Sequence, residues 1–203
     1  MPIHPLSNLD NYKCYLASKS PRRQQILSMV DIDFKIAPAI DIDESFPISM
    51  PADDVAQHIA SKKADAYSQL ILKEPNALII TADTVVICDD VILGKPADYD
   101  DARRMLRQLS GKTHKVVTGV TINCANHRDA FSATSLVTFR QLDNDEIDYY
   151  ISKYAPFDKA GAYGIQEWIG AAAVENITGS FYNVMGLPIE TLYCRLAKVP
   201  KCE

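Results

Sequence analysis

The chain has 203 residues, 47% of them hydrophobic and 23% charged, with a formal net charge of −5. That length allows one large domain or two closely joined lobes, the composition is ordinary for a globular protein, and the acidic balance excludes the basic face that duplex nucleic acid requires. No apolar run approaches about 18 residues, so no membrane span is expected, and Met1 to Asp10 lacks the basic and apolar segments of a signal peptide.

Tyr12 to Ala17 reads as a short apolar strand. It runs into the polar turn Ser18-Lys19-Ser20, and Pro21 takes the first position of a helix with Ser20 as its N-cap. Ile26, Leu27 and Val30 give that helix an apolar face. Arg22 and Arg23 stand in the first turn, where the partial positive charge of a helix N-terminus favours acids instead. Free backbone N–H groups, the hydroxyls of Ser18 and Ser20 and two guanidinium forks make a place for a polyanion, most simply a phosphate chain. The alternative is an ordinary amphipathic helix with two exposed arginines.

Asp33 to Ala37 predicts a second strand, followed by an acidic loop, Pro38 to Met50, with Asp41, Asp43 and Glu44. Such a loop is either solvated surface or a supply of carboxylates for Mg²⁺, a hard ion that takes oxygen ligands. Pro51 to Leu72 predicts one long helix, with Asp53 and Asp54 in its first turn and a stripe of Val55, Ile59, Ala66, Tyr67 and Leu70. Lys63 falls near the middle of that stripe and Lys62 at its edge. An ammonium group there is costly unless it snorkels out or meets an anion, which makes Lys63 a candidate by position.

Asn76 to Ala82 reads as a buried strand ending at Asp83-Thr84, with Val85 to Cys88 continuing as extended chain. An acid ending an apolar strand suits catalysis, because ligands gather at strand ends in open α/β sheets. A mere turn aspartate would keep company with Gly, Pro or Asn. Gly94-Lys95-Pro96 then fixes a lysine between a flexible residue and a rigid one, and Asp98 caps a helix reaching Leu109. Ser110-Gly111-Lys112-Thr113 imitates the end of a Walker A loop, but Leu106 stands where the earlier glycine belongs and a helix precedes it, so a P-loop is rejected.

Val116 to Asn123 and Ala130 to Phe139 predict an antiparallel pair around Cys124 to Asp129. Asp143 with Glu146 opens a helix in capping-box style, ending near Ile151. The stretch Asp158 to Gln166 combines an acid, Lys159, two glycines and a terminal glutamine, which lets backbone approach a ligand closely. The Gln166 amide complements the imide edge of uracil or thymine. Gly179 to Pro188 reads as mainly structural and leads to a last helix, Ile189 to Leu196. The five cysteines lack C-x-x-C spacing and read as reduced thiols of a cytoplasmic protein, and the four histidines show no metal-binding pattern.

These pieces together resemble the Maf family of nucleoside triphosphate pyrophosphatases over about Tyr12 to Arg195. The motifs that carry the resemblance are Leu16-Ala17-Ser18 with Ser20-Pro21-Arg22-Arg23, Ala82-Asp83-Thr84-Val85-Val86, Gly94-Lys95-Pro96, Ser110-Gly111 with His114, and Asp158 to Gln166. What it implies is a mixed α/β, Maf-like (ITPase-like) fold: a single domain over residues 1–203, two-lobed around a long curved mixed sheet with a central cleft. It also implies a cytoplasmic divalent-metal enzyme, commonly a homodimer, that splits a nucleotide between its α and β phosphates. The Asp158 to Gln166 version is similar to the dTTP/UTP branch and unlike the branch that prefers 7-methyl-GTP. Where many relatives place glycines after the glutamine, this chain has Glu167-Trp168-Ile169 before Gly170.

By the resemblance, Asp83 is the proton acceptor, and Arg22, Thr84 and Gln166 are tied to base selection. Ser18, Arg23, Glu44, Lys63, Lys95 and Lys159 correspond to polar residues of the family's cleft. In the reaction this implies, water attacks the α-phosphorus while Arg22, Arg23, Lys63 and Lys95 neutralise the triphosphate. Ser18, Ser20, Arg22, Arg23 and Lys159 hold phosphate, and Glu44 with Asp83 would hold Mg²⁺ or Mn²⁺; whether Asp83 takes the proton directly, through the metal, or serves only as base or only as ligand stays open at the level of sequence. Neither nucleic acid nor membrane is an expected partner. Two other readings stand beside it: a non-catalytic nucleotide-binding regulator of cell division, and a pyrophosphatase preferring purine or 7-methyl-GTP substrates.

Overall fold

The computed structural model describes residues 5–202, so residues 1–4 of the segment read for a signal peptide lie outside the described residues. β1 (Lys13–Leu16) enters α1 (Pro21–Ser28), and the chain returns as β2 (Lys35–Ile36), shorter than the strand expected over 33–37. After the loop come α2 (Ala52–Ala66) and α3 (Ser68–Lys73), then β3 (Ala77–Cys88), β4 (Val91–Leu93) and α4 (Tyr99–Leu109). β5 (Thr113–Cys124) and β6 (His127–Phe139) form a long hairpin, followed by α5 (Asn144–Tyr154), α6 (Trp168–Ala173), β7 (Val174–Thr178), α7 (Phe181–Met185) and α8 (Ile189–Leu196). Among the described residues no helix is long and apolar enough to cross a membrane.

The strands make one seven-stranded mixed sheet in the order β2-β1-β3-β5-β6-β7, with β4 also on β3. β1 lies parallel to β2 and β3, and the remaining pairs are antiparallel. β3 is the organising strand, and its apolar residues serve both faces because successive side chains alternate. Leu78, Ile80, Ala82, Val86 and Cys88 join the larger core, to which α1, α4, α5 and α8 contribute Leu27, Leu106, Ile147 and Leu192. Ala77 and Ile79 pack with Tyr67 and Ile71, while Val85 and Ile87 pack with Val55 and Ile59 of α2.

Four expectations about local structure need correction. The strand expected to end at Asp83-Thr84 runs on as one element to Cys88, because β5 pairs it without interruption from Ile79 to Ile87. β4 was not foreseen: its hairpin turns on Asp89-Asp90, both at positive φ (52° and 61°), a geometry aspartate tolerates although glycine or asparagine is usual. The helix expected over 51–72 breaks at Tyr67 (φ −93°, ψ 6°), whose N–H bonds Ala64 O and whose hydroxyl donates to Pro38 O at 2.8 Å, closing the acidic loop. Ser20 occupies the N-cap position but its side chain makes no cap; the hydroxyl of Ser18 accepts from the Ser20 N–H instead. The two caps expected elsewhere are present: Asp98 accepts from Asp101, and Asp143 and Glu146 close a reciprocal capping box.

Candidate active site

β3 has one edge covered by β5 from Ile79 to Ile87, but its other edge changes partner. β1 pairs with residues 77–80 and β4 with residues 86–88, leaving residues 81–85 open between them. A cleft of about 710 Å³ opens at that gap. Its lining carries six cationic side chains (Lys19, Arg22, Arg23, Lys63, Lys95, Lys159) and four carboxylates (Asp41, Glu44, Asp83, Asp158), a surplus of two positive charges in a chain of net charge −5.

Alternation along β3 sends Asp83 towards α2 and Thr84 to the opposite face. Opposite Asp83 in the register stands Gly119, where a Cβ would meet the Gln57 backbone at 2.4 Å, so only glycine lets α2 lie this close to the sheet. That approach delivers Lys63. Its ammonium donates to Asp83 Oδ1 at 2.7 Å and pairs with Glu44 Oε1 at 2.8 Å. The lysine at the centre of the helix stripe thus meets two anions, the outcome that makes its burial tolerable. Burial works against the Glu44 carboxylate, but Lys63, aided by Lys95 and Arg23, outweighs it and holds the group below its usual range.

On the other face Arg23 acts as an internal cross-link. It donates to Gly186 O (2.7 Å), Ala82 O (2.8 Å), Thr84 Oγ1 (3.0 Å) and Ser18 Oγ (3.3 Å). Thr84 is bonded in turn to Thr118 Oγ1 at 2.9 Å, and Thr118 donates to Asn183 O. Burial pushes the Arg23 guanidinium down from its ordinary value. With its donors bound to uncharged oxygens, Arg23 braces the α1 turn, mid-β3 and the end of α7 against one another.

The remaining expected residues divide into those that face the cleft and one that does not. Ser18, Ser20 and Arg22 line it at the uncapped start of α1, and Lys95 lines it from the loop after β4, with no hydrogen bond or ion pair among the described residues. Arg22 Nη1 contacts Asp158 Oδ2 at 3.3 Å across the cleft, and Lys159 Nζ holds Asp158 Oδ1 at 2.7 Å. Burial works against the Asp158 carboxylate, yet Lys159 and Arg22 outweigh it and lower it. Gln166 is exposed and absent from the lining, its amide packed against Gly164 instead.

Sequence reading missed Lys19, Asp158, and the apolar wall of Ile36, Ile40, Ile42 and Phe46, a surface a nucleobase can lie against. Ile40, Ile42 and Phe46, set among acids in a loop, were the available signal. It also missed Tyr163, whose hydroxyl shares a 2.8 Å hydrogen bond with buried His114 beneath the cleft. The rejected P-loop segment lies outside the lining, and Lys112 there is paired with Asp89 at 2.6 Å.

The Glu44–Asp83 pair fits a hard divalent ion in part. Two carboxylates that already share one cation are the donor set Mg²⁺ takes when phosphates complete its shell. Among the described residues no group of three or more His, Cys, Asp or Glu side chains gathers for a metal.

Compared with known proteins, residues 13–199 match the family described as Maf-like protein. A protein of Porphyromonas gingivalis named dTTP/UTP pyrophosphatase is 52% identical over 191 residues, 94% of this chain and 96% of the relative. Proteins of the same name from Phocaeicola vulgatus and Bacteroides thetaiotaomicron are 50% and 47% identical over 194 residues, covering 96% of this chain and 100% of each relative.

Proposed function

The chain belongs to the Maf family, and from that premise we propose that it is a nucleoside triphosphate pyrophosphatase that hydrolyses dTTP and UTP to the monophosphate and pyrophosphate. The observation that carries the reading is the convergence of Asp83, Lys63, Glu44, Arg22 and Lys95 on one cleft of net positive lining. The names of relatives about half identical over nearly the whole chain support the choice of substrate.

In the reaction, the triphosphate lies across the gap in β3. Arg22, Lys95 and the free N–H groups of the α1 first turn grip its oxygens, with Ser18 and Ser20 as hydroxyl partners and Lys159 on the far wall. Water attacks the α-phosphorus in line with the departing pyrophosphate. The Asp83 carboxylate accepts the proton of that water, and Lys63 orients Asp83 and screens it from the phosphate charge. Arg23 holds Thr84 and the Ala82 carbonyl so that the strand presents Asp83 at a fixed angle. Glu44 and Asp83 would hold Mg²⁺ or Mn²⁺, which supplies charge neutralisation on the phosphates and acidifies bound water. By the resemblance Arg22 and Thr84 would sense the nucleotide, and the apolar wall from Ile36 to Phe46 would give the base a face to stack on. Gln166 reaches a base only if its exposed side chain turns inward.

We read the chain as a single two-lobed domain, a homodimer of the cytoplasm. The resemblance supports the dimer, and free thiols at Cys14, Cys88, Cys124 and Cys194 suit a reducing compartment. Pyrophosphate release from dTTP, UTP, dUTP, CTP, 7-methyl-GTP, ITP and XTP, measured with Mg²⁺, Mn²⁺ or chelator, tests the function. Turnover of dTTP and UTP above the others, abolished by chelator, is expected. Tight nucleotide binding without product would favour a regulator, and preference for ITP, XTP or 7-methyl-GTP would favour a different branch.

A further inference from the structure

The departure at Glu167 has a structural consequence. Among the described residues Lys159 is the one Lys, Arg, Asp or Glu that is buried, at 8% exposure, and it lines the cleft. Two carboxylates hold its ammonium: Asp158 Oδ1 at 2.7 Å and Glu167 Oε1 at 3.1 Å. They are unlike each other. The Asp158 side chain is 63% exposed and also serves Arg22, so an incoming phosphate competes with it for both cations. The Glu167 side chain is 18% exposed and is not part of the cleft lining.

Glu167 is itself fixed from behind. Its Oε2 accepts from the Tyr150 hydroxyl, which accepts from the Gly164 N–H at 3.0 Å. Tyr150 is fully buried and stacked between Tyr154 and Trp168. At Gly164 a Cβ would fall 2.8 Å from the Glu167 carboxyl carbon, so the missing side chain is what admits the carboxylate.

We infer that Glu167 is the positioning residue for Lys159: it keeps the ammonium at the cleft wall when phosphate displaces Asp158, and Tyr150 and Gly164 keep Glu167 in place. A lysine on a four-carbon stem has no preorganised geometry of its own, so a second, non-competing anion decides where its charge sits. The inference rests on the reading that the cleft takes a triphosphate.

Glu167→Gln leaves an oxygen for Tyr150 and removes the charge from Lys159. KM for dTTP is expected to rise about tenfold, with kcat changed by less than about twofold. In a Lys159→Ala background the same substitution is expected to leave KM unmoved, since no ammonium remains to be placed. Gly164→Ala, which crowds the carboxylate without altering a charge, is expected to reproduce the rise, and it serves if Glu167→Gln does not fold. Affinity for inorganic tripolyphosphate, measured by calorimetry on the same proteins, is expected to follow the same pattern without needing turnover or a base. A wild-type chain that binds tripolyphosphate but releases no pyrophosphate from dTTP would defeat the functional reading alone. Equal effects of Glu167→Gln with and without Lys159 would overturn the positioning role, and a wild-type chain indifferent to tripolyphosphate would overturn both.

Discussion

Asp83 and Thr84 are adjacent on β3, yet they belong to two differently built halves of one cleft. The Asp83 half is ionic and open: Lys63 is shared between Asp83 and a Glu44 side chain that is 53% exposed. The Thr84 half is a lattice of uncharged acceptors around one guanidinium, with Arg23 tied to the backbone at Ala82 and Gly186 and to the hydroxyls of Thr84 and Ser18. Groups that must change partners during a reaction sit where their bonds are exchangeable. Groups that define the shape of the site sit where every bond is already made. The pleat of a single strand separates the exchangeable ion pairs from the fixed lattice.

The largest expected effect breaks the ionic half alone. Asp83→Asn should lower pyrophosphate release from dTTP by about 100-fold or more, while thermal unfolding shifts by only a few degrees. Near-wild-type turnover would remove Asp83 from the chemistry.

The second effect lies under the other half and is a matter of pH. Burial drops the His114 imidazole to about 4, so the folded chain holds it neutral at neutral pH. The unfolded chain takes up the same proton near 6.5, so it binds more protons than the folded state between those values. Stability therefore falls as pH drops through the window, by up to about 3 kcal/mol, and levels off below it. Urea unfolding from pH 7 to 4 should show this slope, and His114→Gln should flatten it. An unchanged slope in the variant would assign the loss to other groups.

Smaller still, Arg23→Met should cost about 2 kcal/mol of stability, because it leaves the Gly186 and Ala82 carbonyls without their donor. Activity should fall with it, in contrast to Asp83→Asn, where the two separate. Thr84→Val removes a hydroxyl bonded to Arg23 and Thr118 and should cost about 1 kcal/mol. Thr84→Ser, which keeps the hydroxyl, should recover most of it. If Arg23→Met lowered kcat without any stability loss, the proposed division between the halves would fail.

Much of the ionic half was legible in the sequence. Asp83 stands out because it interrupts a strand that is apolar on both faces, and Lys63 because it stands in a helix stripe. Both signals are local. The start of α1 was equally readable, although Ser20 makes no side-chain cap there and the Ser18 hydroxyl instead accepts from the Ser20 N–H. The neutral half was not legible, because its bonds are long-range and main-chain: Arg23 reaches carbonyls 59 and 163 residues away. An arginine in a first turn looks the same whether it faces an anion or the protein's own backbone. The continuity of β3 through Asp83 was hidden for a related reason, since only pairing with β5, some 35 residues later, keeps the polar pair in the strand. Glu167 read as a departure in a surface loop, and its partner Tyr150 is announced by nothing nearer than the fold.

The pairing of β3 with β5 carries one more consequence. Nine consecutive residues of β3, with Asp83 at their centre, are in register with β5, in the middle of the sheet. The amide hydrogens of those residues that bond across to β5 should be among the last in the molecule to exchange with deuterium, opening only when the whole chain does. Asp83 would then be mounted on a slowly breathing part of the protein, and inactivation on heating should coincide with global melting.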